Sequence, residues 1–324
     1  MKFISFTRVA GALIISAMFT TSLTAQTTRS DVIKAYNEGA KAAQTDLKVA
    51  IESFEKAITL ADEVGETADD LKQKAIQILP GLYVKSANNT LTEKKPASEV
   101  IRAARRAADV SEKYGNAANK ENAERIMLQA YSSMATDFFS QNDYENALLA
   151  FDSALIVNPE YAAAIYNKAL IYIRQNNSDE VEKTIDQYLE KLGSTNEELS
   201  KQAKTTALEY FRASGSKANQ AENLDEALDM LNKAAKYGDD KDLFYYFADV
   251  YNKKKDFDNG LEFSKKGLDL ETGDAEAKAK FYYQLAVAQA GKGQTSEACG
   301  SFKNALYGVF EEASKAQRIN LKCQ

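Results

Sequence analysis

An all-α chain of paired, stacked helices is what this sequence predicts, on three observations. Only 3 prolines and 15 glycines punctuate 324 residues, too few for a many-turned β protein. A helix face carrying a small residue, a bulky one four positions later and a small one three after that recurs along the chain. Each copy follows another amphipathic stretch and precedes a helix-stop residue, at Gly65, Gly115, Pro159, Gly193, Gly238 or Gly273. The 44% hydrophobic and 27% charged content is that of a folded soluble protein.

The first 25 residues place Lys2 and Arg8 ahead of an apolar stretch from Val9 to Phe19, then small and hydroxyl residues ending at Ala25. This reads as a secretory signal peptide over 1–25, cut before Gln26. Its apolar core is shorter than the ~20 residues a membrane helix needs, and no other segment approaches that length, so no membrane insertion is expected. No cysteine stands at the cut for a lipid anchor. The periplasm is the expected location, with secretion beyond it left open.

The small–bulky–small face appears at Ala50, Phe54 and Ala57, at Ala147, Phe151 and Ala154, at Ala227, Leu231 and Ala234, and at Ala298, Phe302 and Ala305. Looser copies stand at Val100, Ala104 and Ala107, at Val181, Ile185 and Tyr188, and at Gly260, Ser264 and Gly267. Ahead of the second copy in chain order, Pro80 falls inside the apolar run LKQKAIQILPGLYVKSA. A proline there removes a hydrogen bond and crowds the preceding turn, which predicts a kinked first helix of that pair. No Pro-, Gly- or Ser-rich linker interrupts the pattern, so one continuous array over 26–324 is expected, closed by a cap helix over 311–322.

The segment 128–161, LQAYSSMATDFFSQNDYENALLAFDSALIVNPEY, resembles a tetratricopeptide repeat through Tyr131, Met134, Ala135, Phe138, Ala147, Phe151, Ala154 and Pro159. Only the family's tryptophan is replaced, by Tyr131. The next 34 residues continue in phase through Ile165, Ala169, Tyr172, Val181 and Ile185, with Lys168 where the family prefers a large apolar residue. Tyr282, Leu285, Ala286, Ala298, Phe302 and Ala305 repeat the match near the C-terminus. The resemblance implies a right-handed α-solenoid of about seven repeats over 31–310, with a concave surface lined by the first helix of each repeat. Small residues at Ala135, Ala169, Ala248 and Ala286 let helices approach, and Phe151, Leu231 and Phe302 fill the grooves between them. The signal followed by many such units resembles exported repeat proteins of Bacteroidota.

By phase, the inner faces carry Tyr36 and Asn37, Tyr166, Asn167 and Arg174, Tyr245, Tyr246 and Lys253, and Tyr283 and Gln284. Tyrosines there either line a groove for a peptide or protein segment, since the ring buries area at small entropy cost and the hydroxyl adds a hydrogen bond, or pack between adjacent first helices. Some relatives hold a C-terminal carboxylate in a basic clamp, and no matching Lys and Arg set stands on these faces.

The chain has no histidine, which removes the commonest general base and metal ligand. Neither a catalytic residue, a metal site nor a cofactor is expected, and among 47 acids nothing singles out a catalytic pair. The stretch Lys255–Glu262, KDFDNGLE, has oxygen donors at Asp256, Asp258 and Glu262 but the wrong spacing for a calcium loop, and fits a turn between helices. Formal charge is −6, or about −8 once Lys2 and Arg8 are lost, and Arg102, Arg105 and Arg106 read as a solvated face, so nucleic acid is not an expected partner. Cys299 and Cys323 are the only cysteines; after export they either form a disulfide or remain two separate thiols. The expected function is a non-catalytic scaffold or adaptor for a protein partner, in the cell envelope or an outer-membrane complex. The alternative is a protein that binds small molecules or glycans in a tyrosine-lined groove.

Overall fold

The computed structural model describes residues 27–194 and 196–324; the expected signal peptide lies outside the described residues. Those residues are all-α, an α-solenoid of fifteen helices that follow one another in consecutive pairs. The pairs are α1 (Arg29–Ala42) with α2 (Leu47–Val64), α3 (Asp69–Thr92) with α4 (Ala97–Lys113), α5 (Ala117–Ser140) with α6 (Tyr144–Val157) and α7 (Ala162–Arg174) with α8 (Ser178–Leu192). They continue as α9 (Glu197–Gln220) with α10 (Leu224–Ala235), α11 (Lys241–Lys253) with α12 (Phe257–Leu270) and α13 (Ala275–Gly291) with α14 (Thr295–Asn304), and α15 (Glu311–Asn320) ends the chain. The helices divide into two compact units, the first ending within α5 and including residues 102–123, the second holding residues 95–101 and everything from Glu124 onward.

In the first unit α1, α2, α3 and the end of α4 enclose Ala42, Ala50, Phe54, Ala75, Leu79 and Val110. Pro80 does not interrupt α3, which runs unbroken for 24 residues with the ring buried. Tyr83 donates to Glu55 Oε1 at 2.7 Å, and the Arg106 guanidinium lies 5.5 Å from the Tyr83 ring. Arg102, Arg105 and Arg106 are exposed, as a solvated helix face should be.

The second unit buries Ile165, Val181, Ile185, Phe211, Leu231, Leu243, Phe247 and their neighbours in one continuous core. All seven copies of the small–bulky–small face are buried on both sides of the division, the four strong copies at 3% exposure or less. That is why alanine recurs: a helix pair leaves an apolar face that only a neighbouring pair can cover. Lys168 keeps its place on α7 by reaching Asp152 of α6 at 2.5 Å.

The second helices α6, α8 and α12 start on a carboxamide or carboxylate cap of the same kind. Asp143, Asn177 and Asp256 accept from the backbone N–H of Asn146, Glu180 and Asn259. Asp256 is therefore a helix cap and Asp258 pairs with Lys292, so the calcium-like stretch is the turn into α12. Immediately before these caps the chain adopts a left-handed residue at Asn142, Asn176, Glu222, Lys255 and Gly293, with φ between 53° and 76°. The following N–H groups, of Asp143, Asn177, Asn223, Asp256 and Gln294, each return to a carbonyl five residues back, closing the first helix as a Schellman turn does. Of the glycine stops, Gly65, Gly115 and Gly238 have positive φ, whereas Gly193 is right-handed at −59° and Gly273 is not left-handed. The last helix ends at Asn320, two residues short of the expected boundary.

Candidate partner-binding face

First helices α7, α11 and α13 of the second unit carry most of the sequence-predicted residues. Between α7 and α9 lies a groove of about 380 Å³ lined by Tyr161, Ala162, Ala163, Tyr166, Asn167, Tyr188, Leu199 and Gln202. Tyr161 and Tyr166 both engage their hydroxyls with neighbouring helices: Tyr161 Oη lies 3.1 Å from Ser132 Oγ on α5, and Tyr166 Oη 3.0 Å from Thr206 Oγ1 on α9. The rings of Tyr166 and Tyr188 meet at 6.0 Å. Ring faces and alanine methyls thus form the walls, and Leu199, 40% exposed on the first turn of α9, forms the lip. Asn167 and Gln202 supply the amides among these lining residues.

Further along, the predicted residues belong to a polar network. Asp249 of α11 accepts from Asn219 Nδ2 of α9 at 2.6 Å and from Gln284 Nε2 of α13 at 2.8 Å. Asn252 Nδ2 donates to both the backbone oxygen and Oε1 of Gln284 at 2.9 Å. Lys253 Nζ donates to Asn219 Oδ1 at 3.0 Å and pairs with Glu222 at 3.3 Å. Asn219 and Gln284 are each 3% exposed, so this network bonds three consecutive repeats to one another.

Tyr245 is packed edge-on against Tyr246 and Phe281, and burial, with Asp249 nearby, pushes its hydroxyl pKa up to about 12. Tyr246 lies against the main core. Tyr283 contacts Phe302 at 5.6 Å and Phe310 at 5.4 Å, and burial raises its pKa. Arg174 is exposed, two turns beyond Tyr166 on α7. Tyr36 and Asn37 belong to the first unit, where the Tyr36 ring packs edge-on against Phe54 at 5.4 Å and Asn37 is exposed. The sulfurs of Cys299 and Cys323 lie within bonding distance, with their Cα atoms 5.6 Å apart, inside the range a disulfide spans.

Sequence reasoning missed Tyr161, Tyr188, Leu199 and Gln202 in the groove, and Asn219, Asp249 and Asn252 in the network. Leu199 carried a usable signal, as a large apolar residue in the charged first turn of a helix. Among the described residues no group of three or more Cys, Asp or Glu is arranged to hold a metal ion, and no helix is long and apolar enough to cross a membrane.

Residues 138–201 match the tetratricopeptide repeat family. That stretch runs from the end of α5 through α6, α7 and α8 into α9, and it includes most of the groove. No curated protein matches the chain. Among solved structures it is similar to a tetratricopeptide repeat protein from Parabacteroides merdae, at 18% identity over 91% of this chain and 100% of that one, with a TM-score of 0.29. It is also similar to YrrB, described as a TPR protein with an unusual peptide-binding site, at 20% identity over 61% and 96%, TM-score 0.36. The MamA protein is similar at 18% identity over 61% and 96%, TM-score 0.35.

Proposed function

We propose that this chain is a non-catalytic scaffold or adaptor that seats an apolar side chain of a partner protein in the groove between α7 and α9. Tetratricopeptide repeats generally mediate contacts between proteins. The observation that carries the reading is the direction of the tyrosine hydroxyls. Because Tyr161 and Tyr166 spend theirs on Ser132 and Thr206, the groove presents ring faces, which reward burial of a large apolar group. Asn167 and Gln202 are placed to hold the backbone amides on either side of such an anchor, while a sugar would need more polar partners than two amides. The signal over 1–25 supports a periplasmic location, where a scaffold of this kind would serve envelope or outer-membrane assembly.

The test is selection of displayed random peptides on the wild-type chain, followed by affinity measurements on variants. Selected peptides should share a large apolar residue and lose at least about tenfold in affinity, roughly 1.4 kcal/mol, on Leu199→Asp. Melting temperature should stay near wild type, because Leu199 is a lip residue. Arg105→Ala on the first unit should leave affinity unchanged. Peptides without an apolar consensus, or equal losses for Leu199→Asp and Arg105→Ala, would put the binding surface elsewhere.

A further inference from the structure

The C-terminal helix is held by very little packing. Ser314 is the one side chain of α15 that is buried, with its Oγ 3.3 Å from the Ala305 carbonyl, and Ile319 is 76% exposed. A ten-residue helix without a buried apolar face is not stable by itself in water. Its attachments are few: Arg318 donates to the Cys299 carbonyl at 2.5 Å, Leu321 touches the cluster of Ala286, Ala298 and Phe302, and Cys323 meets Cys299.

What this weakly packed segment covers is specific. The 3-10 turn Gly308–Phe310 leads into α15 and lays the Phe310 ring on Tyr283, which itself edges onto Phe302. Tyr166 and Tyr245 are each flanked by the first helix of the next repeat, through Thr206 and through Phe281. At Tyr283 the turn stands in that place, through Phe310. The only covalent link closing the cover is the cysteine pair.

We propose that Cys299–Cys323 is a redox-operated latch, which holds residues 307–324 over Tyr283 and Phe302 when oxidised and releases them when a dithiol reduces it. A donor thiolate attacks one sulfur of the bridge and displaces the other. The donor's second thiol then resolves the mixed disulfide. Two electrons and two protons arrive on Cys299 and Cys323, and the donor leaves as a disulfide. Release opens the final turn of the first-helix face. That a partner then uses Tyr283 rests on the function proposed above, whereas the release does not.

The experiment is hydrogen exchange read by mass spectrometry on the full chain, oxidised and after dithiothreitol, with the Cys299→Ser/Cys323→Ser variant alongside. Amides of 311–322 should exchange at least tenfold faster in the reduced protein and in the double variant, and those around Tyr283 should follow. Residues 200–250 should keep their protection, because contacts in a solenoid are local. Three results would each overturn the latch: α15 protection unchanged within twofold after both thiols are shown to be free, protection lost across the whole second unit, or no bridge in protein prepared without reductant. The peptide affinities of Leu199→Asp are measured separately from the exchange, so either idea can fail while the other stands.

Discussion

Phe281 of α13 occupies the space above Gly267 of α12, so closely that a methyl group on that glycine would overlap the ring. Phe281 is fully buried. In the sixth pair the small–bulky–small face is reduced to Gly260, Ser264 and Gly267, and the missing volume comes from outside it. Phe281 reaches in over Gly267, and the Asn252 side chain lies against Gly260.

Gly267→Ala should therefore destabilise the protein by about 1 to 3 kcal/mol through overpacking, although alanine is the better helix former. Gly300→Ala in α14 provides the opposite sign, since nothing lies within 4 Å of its added carbon. It should stabilise by roughly 0.5 to 1 kcal/mol. Urea unfolding of both variants checks the pair, and two changes of the same sign would contradict this account of the packing.

The turns between paired helices give a second test. Lys255 holds φ of 61° and Gly293, at the equivalent place, 76°. A side chain is strained there and glycine is not. Lys255→Gly should raise stability by up to about 1 kcal/mol, and Gly293→Ala should lower it by a similar amount, since open space around Gly293 leaves backbone strain as the cause. Melting temperatures moving in opposite directions are the expected readout.

These cases show which parts of the structure were legible beforehand. Ala50–Phe54–Ala57 and its equivalents could be read because three residues within eight positions report one buried face. Of the turns only Lys255–Glu262 was read as one, although Asn142–Asp143, Asn176–Asn177 and Glu222–Asn223 stand at places corresponding to Lys255–Asp256. The left-handed position accepts such different side chains that only the capping residue after it repeats. The Asn219–Asp249–Gln284 contacts were illegible for another reason. Their members lie 30 and 35 residues apart, and a polar residue on a first helix reads as exposed until the stacking of three helices buries it. Tyr166 was found, but the direction of its hydroxyl depends on Thr206, which no local pattern marks.

Acid should weaken the link between α8 and α10. Glu182 accepts from Lys236 and lies 3.2 Å from Lys233, and these contacts hold its carboxyl below the usual carboxylate pKa. A folded-state value below the unfolded one means stability that is present above the ordinary carboxylate range and lost as pH falls through the folded value. Urea midpoints should thus decline below about pH 4.5, and Glu182→Gln should flatten part of that decline while lowering the midpoint at pH 7. An unchanged pH profile in the variant would show that Glu182 contributes nothing to it.

The strongest single dependence should be on Asp249, because its two oxygens take one buried amide from each flanking repeat. Asp249→Ala leaves the Asn219 amide without its acceptor and takes one from Gln284, both at 3% exposure, which should cost roughly 2 to 4 kcal/mol. Asp249→Asn is informative because it keeps shape and removes charge. Its own amide would face a donor, and neither neighbour is free to turn over. Asn219 Oδ1 already accepts from Lys253, and Gln284 Oε1 from Asn252. The asparagine variant should therefore fall between wild type and alanine and not restore stability. Lys253→Met should cost about 1 to 3 kcal/mol, because it leaves the buried Asn219 Oδ1 without its donor, while the exposed pair with Glu222 adds about 0 to 1 kcal/mol at most. A double-mutant cycle of Asn219→Ala with Gln284→Ala should show coupling of at least about 0.5 kcal/mol between residues that do not touch directly, carried by the shared carboxylate. If Asp249→Ala unfolds within about 0.5 kcal/mol of wild type, the network is not what joins these repeats.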